Sequence, residues 1–297
     1  MPVDTTTSPD KVVLSIGTTS AEIYYYGATV TSWKLNGDER LFVSKSAVLD
    51  GTKAIRGGIP LVFPQFGKSD HTPKLPQHGF ARTTRWRWLG VSADTASEIS
   101  VRFALGNADV DPALLEAWAE AQPGKVVPAF QATYTVALGP TTLKSHLAIQ
   151  NTGTAPWDFT ALLHTYLAVG AIGDVSVTGL QGVRYVDKVA DGAEATETRE
   201  SITVDGEVDR VYVDVKTSPS TRLAVVEKTP GRPTVSVHRS ALPDVVVWNP
   251  WTEKARAMGD FDDDEYRTMI CVEAGHVATP YTLPAGETWT ASQTLAV

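Results

Sequence analysis

Short runs in which apolar and polar positions alternate recur along the whole chain. "AEIYYY", "ATVTSWKL", "EISVRFAL", "FQATYTVAL", "TTLKSHLAIQ" and "RVYVDV" change character every second residue, which is the period of a half-buried strand. "TRLAVVE", "TVSVH", "VVVW" and "WTASQTLAV" continue the pattern. Clusters of Gly, Pro, Asn and Asp separate the runs. One helix candidate interrupts them, "DPALLEAWAEA". There Asp111 can cap the first turn, Pro112 suits it, and Leu115 and Trp118 share a face. So many strands with so little helix predict an all-β fold, a large antiparallel β-sandwich with one or two short helices.

The 297 residues show no internal repeat and no low-complexity linker. A flexible N-terminus over 1–10 and a single sandwich domain over 11–297 are expected. The stretches "ADGAEATETRE" (190–200) and "GDFDDDEY" (259–266) are read as a polar surface loop and an acidic loop. The N-terminal stretch has no basic flank leading into an apolar run, and the apolar runs are too short to cross a bilayer. A single cysteine, Cys271, forbids an internal disulfide and fits a reducing, cytoplasmic setting.

Charge adds a local feature. The chain carries a formal −8, which disfavours nucleic-acid binding. Between Gly51 and Gly90, however, Lys53, Arg56, Lys68, Lys74, Arg82, Arg85 and Arg87 face only one acid, Asp70. This stretch is either a solvated face or a site for an anion.

Polar residues also stand where packing alone would not choose them. His164 lies within "LLHTYLAV", an apolar strand pattern in which it shares a face with Leu162 and Tyr166. Glu273 lies in an equally apolar strand, "MICVEAGHV", on the face of Cys271. A carboxylate buried without a partner is costly, and a buried imidazole loses hydrogen bonds to water. Each is a structural group or one half of an acid–base pair. "RGGIPLVFPQFG" places Arg56 at the head of a rigid, glycine-turned path, as a salt-bridge partner or a phosphate ligand. "PQHGFAR" gathers Gln77, His78 and Arg82 around one turn. No H-x-H, H-E-x-x-H or cysteine pair is present, so no metal is expected. Neither G-x-S-x-G nor G-x-x-x-x-G-K occurs.

Taken in order, "RGGIPLVFPQFG", "QHGFAR", "LHTYLAV" and "DDEYRTMICVEAGHV" resemble the aldose 1-epimerase (mutarotase) superfamily, in particular its glucose-6-phosphate 1-epimerase branch. The resemblance runs from about Lys11 to Ala296. It implies a galactose mutarotase-like supersandwich and cofactor-free exchange of sugar anomers. It also implies His164 as general acid, Glu273 as general base and Asp209 of "EVDRVY" as a sugar ligand. Arg56, Gln77 and Arg82 would bind the phosphorylated sugar, with His78 beside them. Ala274 stands where many relatives have proline. The expected partner is a small hexose-6-phosphate, with no nucleic acid, no membrane and a monomeric chain. An epimerase of unphosphorylated hexose, a noncatalytic sugar-binding module, a two-carboxylate glycosidase built on Asp209 and Glu273, and a metal-dependent isomerase are the alternatives.

Overall fold

The computed structural model describes residues 2–69, 72–216, 222–229 and 231–297. Alternating runs become antiparallel strands throughout. The first sheet is a meander of five strands in chain order, from Val3–Asp4 to Asp38–Glu39. A two-residue strand, Val3–Asp4, pairs with Leu14 and Val13. Order therefore starts ahead of Lys11, in the stretch expected to be flexible.

Two larger sheets follow. A nine-stranded sheet is centred on Thr288–Ala296, flanked by Val235–Ser240 and Thr142–Asn151. An eight-stranded sheet is centred on Met269–Leu283, between Asp244–Asn249 and Trp157–Leu163. Val245, Val247, Ile270, Val272, Ala274 and Leu163 of the second sheet share one core with Val136, Ile149 and Leu295 of the first. The opposite face of that second sheet is also buried. Leu162, Tyr166, Val246, Trp248, Met269 and Cys271 form a separate cluster there. Period-two alternation thus sends odd and even positions of the same strands to two different interiors. The functional candidates belong to the second.

The helix over Pro112–Ala119 forms as read, and the Asp111 side chain accepts from the Ala113 amide at 2.9 Å. A second helix covers Trp251–Ala257. Residues 190–200 are more than a loop, since Ala193–Thr196 pairs with Arg184–Asp187 as an exposed hairpin. Among the described residues, no helix is long and apolar enough to cross a membrane.

Candidate active site

A cavity of about 220 Å³ opens over the second face of the eight-stranded sheet. Arg56, Gln77, His78, His164, Asp209 and Glu273 all line it. Residues far apart in the chain converge because central strands of the sheet carry Asp209 and Glu273, while the rigid loops pack against its edge.

The loop geometry is imposed by glycine. Gly57 and Gly58 have φ of 125° and 69°. A Cβ on Gly58 would meet the Val30 carbonyl oxygen at 2.1 Å, and one on Gly57 the Phe42 oxygen at 2.4 Å. Only glycine lets "RGG" press this closely on its neighbours. Arg56 is then held on both sides. Its Nε and Nη2 each lie 3.2 Å from an Asp260 oxygen, and its Nη1 donates to the Tyr166 hydroxyl at 3.2 Å. The acidic loop over 259–266 is therefore a buttress of the site. Buried Glu265 anchors it by accepting from the Ser44 hydroxyl and the Lys45 amide.

His78 and Gly79 both adopt left-handed backbone, with φ of 69° and 70°. A Cβ at Gly79 would lie 2.3 Å from the Phe63 oxygen. The Gly67 amide donates to His78 Nδ1 at 3.1 Å. This leaves Nε2 as the protonated nitrogen, 3.3 Å from the Gln77 amide, a pairing that needs the amide oxygen on that side.

His164 does not lie within a strand. The chain breaks for two residues between Trp157–Leu163 and Tyr166–Ala168. Its amide donates to the Pro60 oxygen at 3.0 Å, and Val272 donates to the Thr165 oxygen. The imidazole stacks on Tyr166 at 4.7 Å and meets His78 edge-on at 5.6 Å. Its Nδ1 stands 3.5 Å from Glu273 Oε1. That exceeds a good N–H···O distance. Neither His164 Nδ1 nor Glu273 Oε2 has a hydrogen-bond partner among the described residues.

Burial drives both groups toward neutrality. It holds the His164 imidazole well below its usual range, with Arg82 and Arg56 adding to the effect. It pushes the Glu273 carboxyl well above its usual range, reinforced by Asp209 and opposed by Lys188 and Arg82. Burial thus favours a neutral imidazole beside a carboxylic acid over the charged forms. The one dissociable proton lies in a pair whose other microstate is imidazolium–carboxylate. Burial also raises the Asp209 carboxyl, against Lys188 and Lys254.

The basic segment does not form one patch. Lys74 pairs with Glu120, Arg85 with Asp10 and Arg87 with Asp109, away from the cavity. Asp70, its only acid, lies outside the described residues. Arg82 is not a lining residue but stands beside the cavity, donating to the carbonyl of the lining Gln77 at 2.8 Å. Burial lowers its guanidinium to about 10, and no carboxylate among the described residues pairs with it. The remaining cations come from elsewhere in the chain. Lys188 lines the cavity with its ammonium 4.1 Å from the Phe66 ring centroid. Lys254, on the second helix, pairs with Glu207 at 2.8 Å and reaches Asp209 at 4.0 Å. Trp248 is the tryptophan that lines the cavity among the described residues. No periodicity marked Lys188 or Asp260. The i, i+4 spacing of Trp251 and Ala255 could have flagged the helix that carries Lys254.

A sequence model of the aldose 1-epimerase family matches residues 10–296. The chain belongs to that family. A Cenchrus ciliaris protein provisionally named glucose-6-phosphate 1-epimerase is 39% identical over 296 residues, covering 97% of this chain and 84% of the relative. An Escherichia coli K12 protein with the same provisional name is 31% identical over 270 residues, covering 91% and 84%. The crystal structure of a provisionally named mutarotase of Salmonella typhimurium superposes with a TM-score of 0.83 at 28% identity, covering 100% and 96%. A galactose mutarotase-related enzyme of Lactobacillus acidophilus shares the fold, with a TM-score of 0.72 at 15% identity, each chain covered to 96%. The supersandwich expected from the four motifs is the fold of this aldose 1-epimerase family member, and the protein is an isomerase.

Proposed function

We propose that this chain is a hexose-6-phosphate mutarotase, in which Glu273 and His164 carry out ring opening and closure. The observation that carries this reading is the unbonded His164–Glu273 pair, set in one cavity with Lys188, a lining cation that has no carboxylate partner among the described residues, and with Arg82 close by. Glu273 as carboxylate takes the proton of the C1 hydroxyl. His164 as imidazolium delivers one to the ring oxygen, and the C1–O5 bond breaks. Rotation about C1–C2 presents the other face of the aldehyde, and both transfers reverse.

The proton count fits the site. Ring opening converts the ion pair into the neutral pair that burial favours, and closure restores the ion pair. In the empty cavity, Arg56 and Arg82 suppress the imidazolium. A phosphate bound near them offsets their charge and raises the proton affinity of His164. Substrate binding thus readies its own acid.

Arg82 and Lys188 are the phosphate ligands of this reading, because Arg56 is already engaged by Asp260. Asp209 accepts from sugar hydroxyls, and Gln77 and His78 contact the sugar alongside. The test is NMR anomer exchange with glucose-6-phosphate, galactose-6-phosphate and unphosphorylated glucose in parallel. Accelerated exchange of a phosphorylated sugar above that of glucose supports the reading. Faster exchange of glucose makes the chain an epimerase of unphosphorylated hexose, and binding without acceleration makes it a noncatalytic sugar-binding protein.

A further inference from the structure

Two residues that line the cavity, His164 and Glu273, share a donor set with Cys271, which does not line it, and anomer exchange does not use that set in full. Cys271 and Glu273 are two positions apart on one strand, so both project from the same face. A His164 nitrogen, the Cys271 sulfur and a Glu273 oxygen all lie within 4.8 Å of one another. All three side chains are buried. His164 Nδ1 and Glu273 Oε2 are without hydrogen-bond partners among the described residues.

The spacing suits a small cation. Two ligands bound to a tetrahedral zinc at about 2.0–2.1 Å stand roughly 3.3 Å apart. The 3.5 Å between His164 Nδ1 and Glu273 Oε1 is already near that span. A sulfur ligand works through a longer bond, about 2.3 Å, and imidazole, thiolate and carboxylate together suit zinc among the common divalent ions.

We propose that His164, Cys271 and Glu273 form a binding site for a thiophilic divalent cation, with Zn²⁺ the type case, and that its occupancy inhibits the enzyme. The cation takes hold of both proton-transfer groups at once, so substrate turnover and metal binding exclude each other. Charge balances in the exchange. In the forms that burial favours, an imidazole, a thiol and a carboxylic acid, the trio carries no net charge. Binding releases the thiol and carboxyl protons to solvent and leaves one dication with two anions. The trio is neutral before and after, so the nearby arginines do not oppose it by net charge.

Coordination stands on the donor geometry alone. Only the inhibitory consequence rests on the proposed function. The test titrates the full-length, metal-free protein with Co²⁺. Visible d–d bands and a near-ultraviolet thiolate-to-cobalt band are expected. Zn²⁺ should abolish both, and excess glucose-6-phosphate should suppress them. Zn²⁺ should slow anomer exchange competitively. Cys271→Ser should lose the thiolate band and weaken Zn²⁺ inhibition by at least about tenfold, while exchange in the presence of a chelator is unchanged. Cys271→Ala repeats the measurement with different packing.

Absence of the thiolate band in the wild-type protein overturns the proposal. So does Zn²⁺ inhibition as strong in both variants as in the wild-type protein. The two readings fail separately: a thiolate band without any accelerated exchange removes the mutarotase assignment and leaves the metal site standing.

Discussion

His164 and Glu273 meet without bonding. Their facing atoms, Nδ1 and Oε1, stand 3.5 Å apart within a wall that buries both side chains. A structural imidazole–carboxylate pair would close to a short hydrogen bond. One of the two sits in a strand and the other in a strand break, and on the proposed function the open pair leaves room for substrate atoms to take the bonds.

Removal of either group should therefore remove the chemistry and spare the fold. His164→Ala and Glu273→Gln are each expected to lower accelerated anomer exchange by ~10²–10⁴-fold. Circular dichroism should be unchanged. Wild-type rates in both variants, read by exchange NMR, would sink the assignment of acid and base.

Phosphate recognition should follow how freely each cation can act. Arg82 is half-buried and has no carboxylate partner among the described residues, so Arg82→Ala is expected to raise KM for glucose-6-phosphate by roughly 10–100-fold, the range of a charged hydrogen bond. Lys188 is exposed at the rim, and Lys188→Gln should cost no more than about fivefold. Neither variant should change glucose turnover to the same degree. Equal losses for the two sugars would remove the phosphate argument.

Two glycines offer a controlled comparison. Gly58 and Gly67 share a φ of 69°. A Cβ on Gly58 meets backbone at 2.1 Å, whereas one on Gly67 has nothing within 4 Å. Gly67→Ala should cost about 1 kcal/mol of stability from the left-handed backbone alone. Gly58→Ala adds an overpacking cost of roughly 1–3 kcal/mol or more. Urea unfolding of the pair checks this, and equal midpoints would contradict it.

Stability should fall on the acid side. His78 and His164 are both held well below 6.5, chiefly by burial. Below ~6.5 the unfolded chain takes up protons that the folded imidazoles refuse, so each histidine removes ~1.4 kcal/mol per pH unit as pH falls. Glu273 works the other way. Its folded carboxyl keeps a proton that the unfolded chain releases above ~4.3, so its contribution declines as pH rises. Between ~4.3 and ~6.5 it offsets one of the two histidines. Glu273→Gln should make the decline from about pH 7 to about pH 5 steeper than in the wild type. A shallower decline in urea midpoints would contradict the shifts.

Much of the site was legible as anomaly. His164 and Glu273 stood out because apolar strands do not choose such groups without use for them. Arg56 and His78 stood out because glycines beside them signalled constrained backbone. Other members left no such mark. Lys188 sits at the end of a polar hairpin and Asp260 in an acidic loop, where charged residues are ordinary. The clustering of basic residues between Gly51 and Gly90 misled for the complementary reason. Proximity along the chain did not become proximity in space, and Lys74, Arg85 and Arg87 found carboxylates on other surfaces.

By itself the sequence determined the class of fold, the antiparallel strands, the capped helix at Asp111 and the pair of ionisable groups that apolar surroundings made conspicuous. Those are local matters: period-two alternation, turn residues and the cost of burying charge act within a few residues. The tertiary structure alone decided that His164 stands in a break between strands, that Asp260 fixes Arg56, and that Lys188 and Lys254 complete the cavity. It also decided that His164 comes up against Cys271 and Glu273, which strand alternation had already put on one face. These depend on sheet order and on which face of the second sheet is covered, quantities set by contacts between distant strands that no local pattern encodes.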